Sequence, residues 1–280
     1  MKDRNFYIAG IPVLAAVILL AVSYGSVRIP LGDILSILTG RGENLPDTWK
    51  LILWRIRIPR TLSAALVGGV LATGGVSCQG LFRNPLSEPY LLGISSGAAL
   101  GATIAIVAAS SFGSAGLGVI GTAAFFGAIS VTAVVFIAAG KGAFKLPSTL
   151  LLSGIAIAFL CQAVIWLLMT YNRDQVERIT FWTLGSLSSA GWTKVLWLSV
   201  ITIPSTIVLA GMGRVIDVLS TGYDSAHGLG IRPQRSAAII LGFTALGTAA
   251  AVAVAGSIGF IGLMVPHAVR LPGVLPIGSL

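Results

Sequence analysis

Charge is scarce in this 280-residue chain: Asp, Glu, Lys and Arg make up 10% of it, where a soluble domain carries about 25%. So little charge cannot wet a globular surface. Disorder is excluded as well, because disordered chains combine many charges with low hydrophobicity, and here 55% of residues are hydrophobic. Cysteine occurs twice, at Cys78 and Cys161, each inside an apolar run and far from the other. That excludes a disulfide framework, and both read as small buried hydrophobes. The two histidines, His227 and His267, have no Cys or carboxylate at ligand spacing, so no metal and no other cofactor is expected. There is no G-x-x-x-x-G-K-[ST] stretch, so ATP hydrolysis is not expected of this chain.

What the sequence has in quantity is apolar length. Its mean hydropathy is +0.94, and at about 20 residues per span plus connections there is room for roughly eight helices. Apolar runs cover 6–24, 61–82, 91–112, 116–140, 146–170, 195–213 and 236–255, with a shorter one at 258–269. The first follows Lys2 and Arg4 and is not succeeded by a small-residue cleavage site, so it reads as a retained helix. The fold expected is an all-α, polytopic transmembrane bundle of about eight spans, one domain over residues 1–280. In the polar stretch from Arg28 to Arg60, Pro30, Pro46 and Pro59 are read as breakers, and Leu31–Leu38 is expected to form a short interfacial helix. Residues 171–194 are amphipathic and carry Trp182 and Trp192, as interfacial segments do. Glycine, at 35 residues, lets membrane helices approach closely.

A net charge of +9 would raise the question of nucleic acid in a soluble protein. Here the charges lie between apolar runs, so they read as juxtamembrane groups at a lipid bilayer, and no nucleic-acid partner is expected. No Asp, Glu, Lys or Arg falls in 61–82, 89–140, 146–172, 195–213 or 236–269. Ion-coupled transporters and pumps mark their pathways with such groups, so a mechanism that harvests an ion gradient is disfavoured. Basic residues do not set the orientation: with the N-terminus inside, nine fall on each side. The outer ones concentrate at Arg55–Arg60. That cluster suits either an acidic partner docking from outside or plain interfacial anchoring.

Two short motifs do not survive their context. Gly116-Leu-Gly-Val-Ile-Gly121 matches a dinucleotide fingerprint but opens an apolar run instead of a strand–turn–helix unit, so its glycines read as helix packing. Gly93-Ile-Ser-Ser-Gly97 matches a hydrolase elbow, yet the apolar helix beginning there offers neither acid nor base. His267 follows Pro266 at the end of a short helix, where capping is the expected role.

Several longer stretches carry a specific likeness. Arg57-Ile-Pro-Arg60-Thr61 leads into a glycine-rich helix that ends Gln79-Gly-Leu-Phe-Arg83-Asn84-Pro85-Leu86-Ser87-Glu88-Pro89-Tyr-Leu-Leu-Gly93. Leu150-Leu-Leu-Ser-Gly154 and Trp182-x-x-Gly-Ser-Leu187 follow, then Val254-Ala-Gly-Ser-Ile-Gly259-Phe-Ile-Gly262-Leu-Met-Val-Pro266-His267 with Arg270. From about residue 5 to 270 the chain resembles the permease subunits of ABC importers for iron–siderophore, haem and vitamin B12, the type II (FecCD/BtuC-like) family.

The resemblance implies a multi-pass protein of the cytoplasmic (inner) membrane with its N-terminus inside. It implies a second permease subunit, in a homodimer or a pair, two cytoplasmic ATP-binding subunits and an extracytoplasmic substrate-binding protein. It also assigns roles. Arg57 matches the position that pairs with a glutamate of the binding protein, and Arg60 is its neighbour. Ser148 and Thr149 match a hydroxyl-bearing cytoplasmic gate. The loop from Ser220 through Gly222, Tyr223, Asp224 and Ala226 to Gly230 matches the coupling helices that meet the ATPase. There the sequence departs from the family, which places a carboxylate directly after the glycine, whereas Tyr223 intervenes before Asp224. Family members also continue for two further helices, ten in all, so the final pair is expected to be missing, with 274–280 reading as the start of the next helix. The function expected is that of a permease for a bulky metal chelate, with energy supplied by partner ATPases. An ion-coupled secondary transporter and an intramembrane enzyme are the rivals, disfavoured by the missing charges and the missing acid–base set.

Overall fold

The computed structural model describes residues 2–41, 43–112, 117–140 and 147–269, and among these there are thirteen α-helices and no strand. Gly116, Lys141, Lys145, Arg270 and the 274–280 segment lie outside the described residues. Helix α1 (Lys2–Ser23) is followed by the short α2 (Leu31–Leu38) and α3 (Asp47–Ile52), then by α4 (Ile58–Phe82). The apolar helices α5 (Ile94–Phe112), α6 (Leu117–Ala139) and α7 (Pro147–Tyr171) come next, then the amphipathic α8 (Val176–Leu184) and the apolar α9 (Trp192–Gly211). Two short helices, α10 (Gly213–Thr221) and α11 (Tyr223–Gly228), lead to α12 (Pro233–Ala255) and α13 (Ile261–Val269).

Among the described residues five helical stretches are long and apolar enough to cross a membrane: Asp47–Phe82, Gly118–Ala139, Ser148–Tyr171, Trp192–Gly211 and Pro233–Ala255. Gly10–Ser23 in α1 and Ile94–Ser110 in α5 are shorter apolar stretches. The eighth apolar run is not a full span. Helix α13 has nine residues, about 14 Å of rise, where a crossing needs about 20 residues.

Pro59 does not break the chain as expected. Leu53–Arg57 forms a π-helical turn in which the Ile58 N–H donates to the Leu53 carbonyl, and helix runs on from Asp47 to Phe82. The wider turn makes room for the Pro59 ring, which has no N–H to place in the ladder. The basic cluster at 55–60 therefore sits on a helix rather than in a loop. The expected interfacial helix at Leu31–Leu38 is present as α2, starting directly after Pro30.

Helix α12 is the most enclosed span, with 61% of its apolar stretch buried against 22% for α7. It packs on α4, α9 and α6 through small residues such as Gly247, Ala249 and Ala250. Helices α5 and α6 are pressed together at glycines: a Cβ at Gly97 would come within 2.6 Å of the Gly127 carbonyl oxygen. With no water to drive burial between spans, this close backbone contact is what holds them. Near α8, the Trp192 indole N–H donates to the Trp54 carbonyl at 2.8 Å and the two rings lie 6.4 Å apart. Such a Trp pair suits a membrane interface.

With the N-terminus inside, the 24–46 connection and the 172–191 connection face outward and the α10–α11 loop faces inward. Glu43, Asp174 and Asp224 are all exposed. In a background lacking Cys78 and Cys161, single cysteines at Glu43 and Asp174 are expected to react with an impermeant thiol reagent added to intact cells. A cysteine at Asp224 reacts only after lysis. External labelling at Asp224 would reverse the topology.

Candidate functional site

Between α4 and α5 the chain does not simply leave the bundle and return. Helix α4 ends on Arg83, whose backbone is left-handed at φ 50°. Asn84 then folds a tight turn, accepting the Leu86 N–H on its side chain at 2.9 Å and the Ser87 N–H on its carbonyl at 3.0 Å. Pro89–Leu92 makes a 3-10 turn, and Gly93, at φ 77°, swings the backbone into α5. This elbow climbs back among the helices. Pro89 packs against Gly74 and Gly262, and the Leu91 carbonyl lies directly on Gly154. Gly74 stands eight residues before the end of α4 and Gly154 seven after the start of α7, so the elbow sits about 10–12 Å inside the helix ends.

A second break faces the first. Helix α12 stops at Ala255, and Gly256–Phe260 runs without helix to α13, with Phe260 at φ 67°. Non-helical backbone at this depth persists only where protein satisfies it. Two hydrogen bonds tie the second break to the elbow and the start of α5. The Tyr90 hydroxyl donates to the Ile258 carbonyl at 2.7 Å, and Ser95 and Ser257 share a hydroxyl bond of 2.7 Å. Behind them, a side chain at Gly75 would overlap the Gly262 carbonyl. Glycine is therefore required where α13 lies on α4.

In front of the joined segments lies a cavity of about 400 Å³. Tyr90, Ser95 and Ser96 form one wall, Gly154, Ala158 and Gln162 of α7 another, and Thr183 and Ser257 close its upper part. The lining is mainly apolar, with Leu91, Ile155 and Phe159 beside small residues and a few hydroxyls, and it has no carboxylate, amine or imidazole among its residues. None of these cavity residues was singled out as a site from sequence. Two signals were available. Gln162 is the one amide side chain in α7, and the paired serines at 95 and 96, set aside as a false hydrolase elbow, point to a polar surface.

The residues assigned by resemblance fall into three groups. Asn84, Pro85, Leu86, Pro89 and Gly93 build the elbow, and Gly259, Gly262, Pro266 and His267 lie along the second break and α13. Pro266 is buried and His267 exposed in the last turn. Ser148 is exposed and Thr149 half-buried at the start of α7, with Thr149 about 8 Å along the axis below Gly154. In the inner loop Ser220, Asp224 and Gly230 are exposed, Gly222 and Tyr223 are half-buried, and Ala226 is fully buried.

Arg57 departs from its expected outward position, while Arg55 and Arg60 are exposed. It is 8% exposed, and its guanidinium donates to the Val22 carbonyl at 2.8 Å, the Ser23 carbonyl at 2.9 Å and the Val27 carbonyl. The first two are acceptors in the last turn of α1, where a cation also complements the helix dipole, and the third lies in the connection that follows. Glu88 is the other surprise. The elbow carries it inward, and its Oε2 is buried with no partner, so one carboxylate stands at depth just outside the charge-free intervals.

Residues 13–273 match the model of the FecCD transport family. The chain belongs to that family. Its FecCD relatives include the cobalamin import system permease protein BtuC of Halobacterium salinarum, 39% identical over 81% of this chain and 60% of that protein. The hemin transport system permease protein HmuU of Yersinia pestis is 40% identical over 80% of this chain and 67% of its own length. The vitamin B12 import system permease protein BtuC of Escherichia coli is 34% identical over 89% and 76%. A solved metal-chelate type ABC transporter in an inward-facing conformation matches with a TM-score of 0.81 at 27% identity, covering 98% of this chain and 82% of that one. The chain thus spans about three-fifths of the length of the Halobacterium protein. It is a multi-pass membrane protein of this family.

Replacing Arg57 by Met keeps the bulk of the side chain and removes its donors. The loss of charged hydrogen bonds at a buried site is expected to lower stability by about 2 kcal/mol, read as a lower thermal midpoint in detergent. An unchanged midpoint with weakened binding-protein association would show instead that Arg57 serves the outer surface.

Proposed function

We propose that this chain is the permease subunit of a type II ABC importer that carries an iron–siderophore or related metal chelate, haem or cobalamin, across the cytoplasmic membrane. Two ATP-binding subunits drive it, a substrate-binding protein delivers the solute from outside, and a second permease subunit completes the pathway. The observation that carries this reading is the 400 Å³ cavity set between two broken segments and walled by α7. Its mainly apolar lining, with a few hydroxyls and no charged group, gives a bulky solute a weakly binding route rather than a tight site. The cavity opens along α7, whose Leu152 and Phe159 are 70% and 72% exposed, so a second subunit against this helix would close it. Ser148 and Thr149, below the cavity, are positioned to gate its inner end.

Relatives named for cobalamin and hemin import lie at similar identity, which supports the class of solute rather than one member. Ion coupling is less well supported. Among the described residues the one carboxylate at depth, Glu88, is not part of the cavity lining. The decisive assay is uptake into liposomes bearing the chain with its ATP-binding subunits and binding protein, with cobalamin, haem and a ferric siderophore as competing solutes. Uptake of one of them that requires ATP supports the proposal. Uptake that proceeds on a proton or sodium gradient without ATP would replace it with the secondary-transporter reading.

Docking of the binding protein is assigned to the exposed pair Arg55 and Arg60, on the outer end of the long α3–α4 helix. Rim charges act mainly on association rate and salt dependence. Arg60→Glu is therefore expected to slow binding-protein association about tenfold at low salt and much less at high salt. An association rate unaffected by the reversal at either ionic strength removes Arg60 from the docking face.

A further inference from the structure

Arg83 stands where α4 stops and the elbow begins, and it also touches the inner loop. Its guanidinium lies 5.7 Å from the centroid of the Tyr223 ring, within cation–π range. Burial pushes the Tyr223 phenol above its usual range, and the guanidinium opposes that shift. One turn earlier, Ile216 of α10 fits so closely over Gly80 that a side chain there would overlap it. The α10–α11 loop is thus keyed to the last turn of α4 at two points, one apolar and one cationic.

From Arg83 the chain reaches the cavity in seven residues, and those residues have little freedom. Pro85 and Pro89 fix two backbone angles, Asn84 holds its turn, and Pro89 is wedged between Gly74 and Gly262. At the far end Tyr90 and Leu91 are part of the cavity wall. A stiff strut therefore joins a ring in the inner loop to the surface that a solute would meet. Close-packed elements of this kind shift as units instead of deforming smoothly.

We propose that Arg83 is a positioning residue: it converts displacement of the Tyr223 loop into movement of the 83–93 elbow, and so of the cavity wall at Tyr90 and Leu91. The proposal rests on the permease reading above, in which ATP-binding partners move that loop. It also accounts for the aromatic residue at 223. Where the family is expected to carry a carboxylate, this chain presents a ring whose face receives the Arg83 cation.

The test uses the assembled complex in liposomes, lacking Cys78 and Cys161 and carrying Gln162→Cys on the α7 wall of the cavity. The probe is an impermeant methanethiosulfonate, and its reaction rate is measured before and after trapping with ATP and vanadate. Trapping is expected to change the rate in the parent complex. Arg83→Ala should shrink that change about fivefold, the factor a cation–π contact of ordinary strength carries, while vanadate still traps nucleotide. Arg83→Lys, which keeps a cation, should retain most of the response. Tyr223→Leu should reproduce the loss, and the double variant should be no worse than either alone, as expected when two residues act through one contact. A full response in Arg83→Ala overturns the proposal, as do independent, additive losses. If Arg83→Ala fails to assemble, a full response in Tyr223→Leu overturns it equally. A parent complex that traps nucleotide without any change at residue 162 contradicts the permease reading itself, so the two failures are told apart.

Discussion

Backbone that leaves the helix inside a membrane must find its hydrogen bonds within the protein, and among the described residues this chain leaves the helix there twice. The elbow at 83–93 and the turn at 256–260 meet the problem side by side. Tyr90 reaches the Ile258 carbonyl, and Ser95, at the start of α5, meets Ser257. Most of what is unusual in the structure follows from that pairing. Gly74, Gly75 and Gly262 are bare because the paired segments press against α4 at those points. The small residues of α12 serve the same end, since a bulkier face would keep α4 and the elbow apart.

The pairing also divides the molecule into a firm side and a loose side. On the firm side α4 packs against α9, α12 and α13, and α12 also against α9, with glycine and alanine of α4 and α12 meeting valine, leucine and hydroxyl side chains of α9. On the loose side α7 has little of its apolar stretch buried and offers the cavity a wall of Gly154, Ala158 and Gln162. A permease needs this asymmetry. The solute path must change width, and it can do so only along a surface that is not locked into the core. The inner loop is attached to the firm side at Gly80 and Arg83.

Much of this was legible in the residues. Scarce charge and long apolar runs give the helical membrane bundle, and α2 falls where Pro30 and the amphipathic stretch after it place it. The arginine-rich 55–60 stretch misleads. Pro59 looks like a breaker and the basic residues like a loop, because a π turn leaves no mark in a hydropathy pattern. Arg57 looks like an outer charge for the same reason: nothing local reveals that the end of α1 and the connection after it, thirty or more residues earlier, place three carbonyls around it. The elbow motif was recognisable by resemblance, yet its depth was not, since a polar Arg-Asn-Pro-Leu-Ser-Glu run reads as an ordinary inner connection. Cavity residues escape for a different reason. They come from five separate segments, and each contributes only one to a few uncharged side chains of kinds common in any membrane helix, which a linear reading treats as background.

The central claim is that solute passes through the cavity between the elbow and α7. Filling that space tests it most directly. In the reconstituted complex, Ala158→Trp on the cavity wall is compared with Val200→Trp, which places the same bulk on the exposed face of α9. ATP-driven uptake should fall to background in the first and persist in the second, with ATP hydrolysis continuing in both. Undiminished uptake through a chain whose cavity is filled by tryptophan would contradict the account.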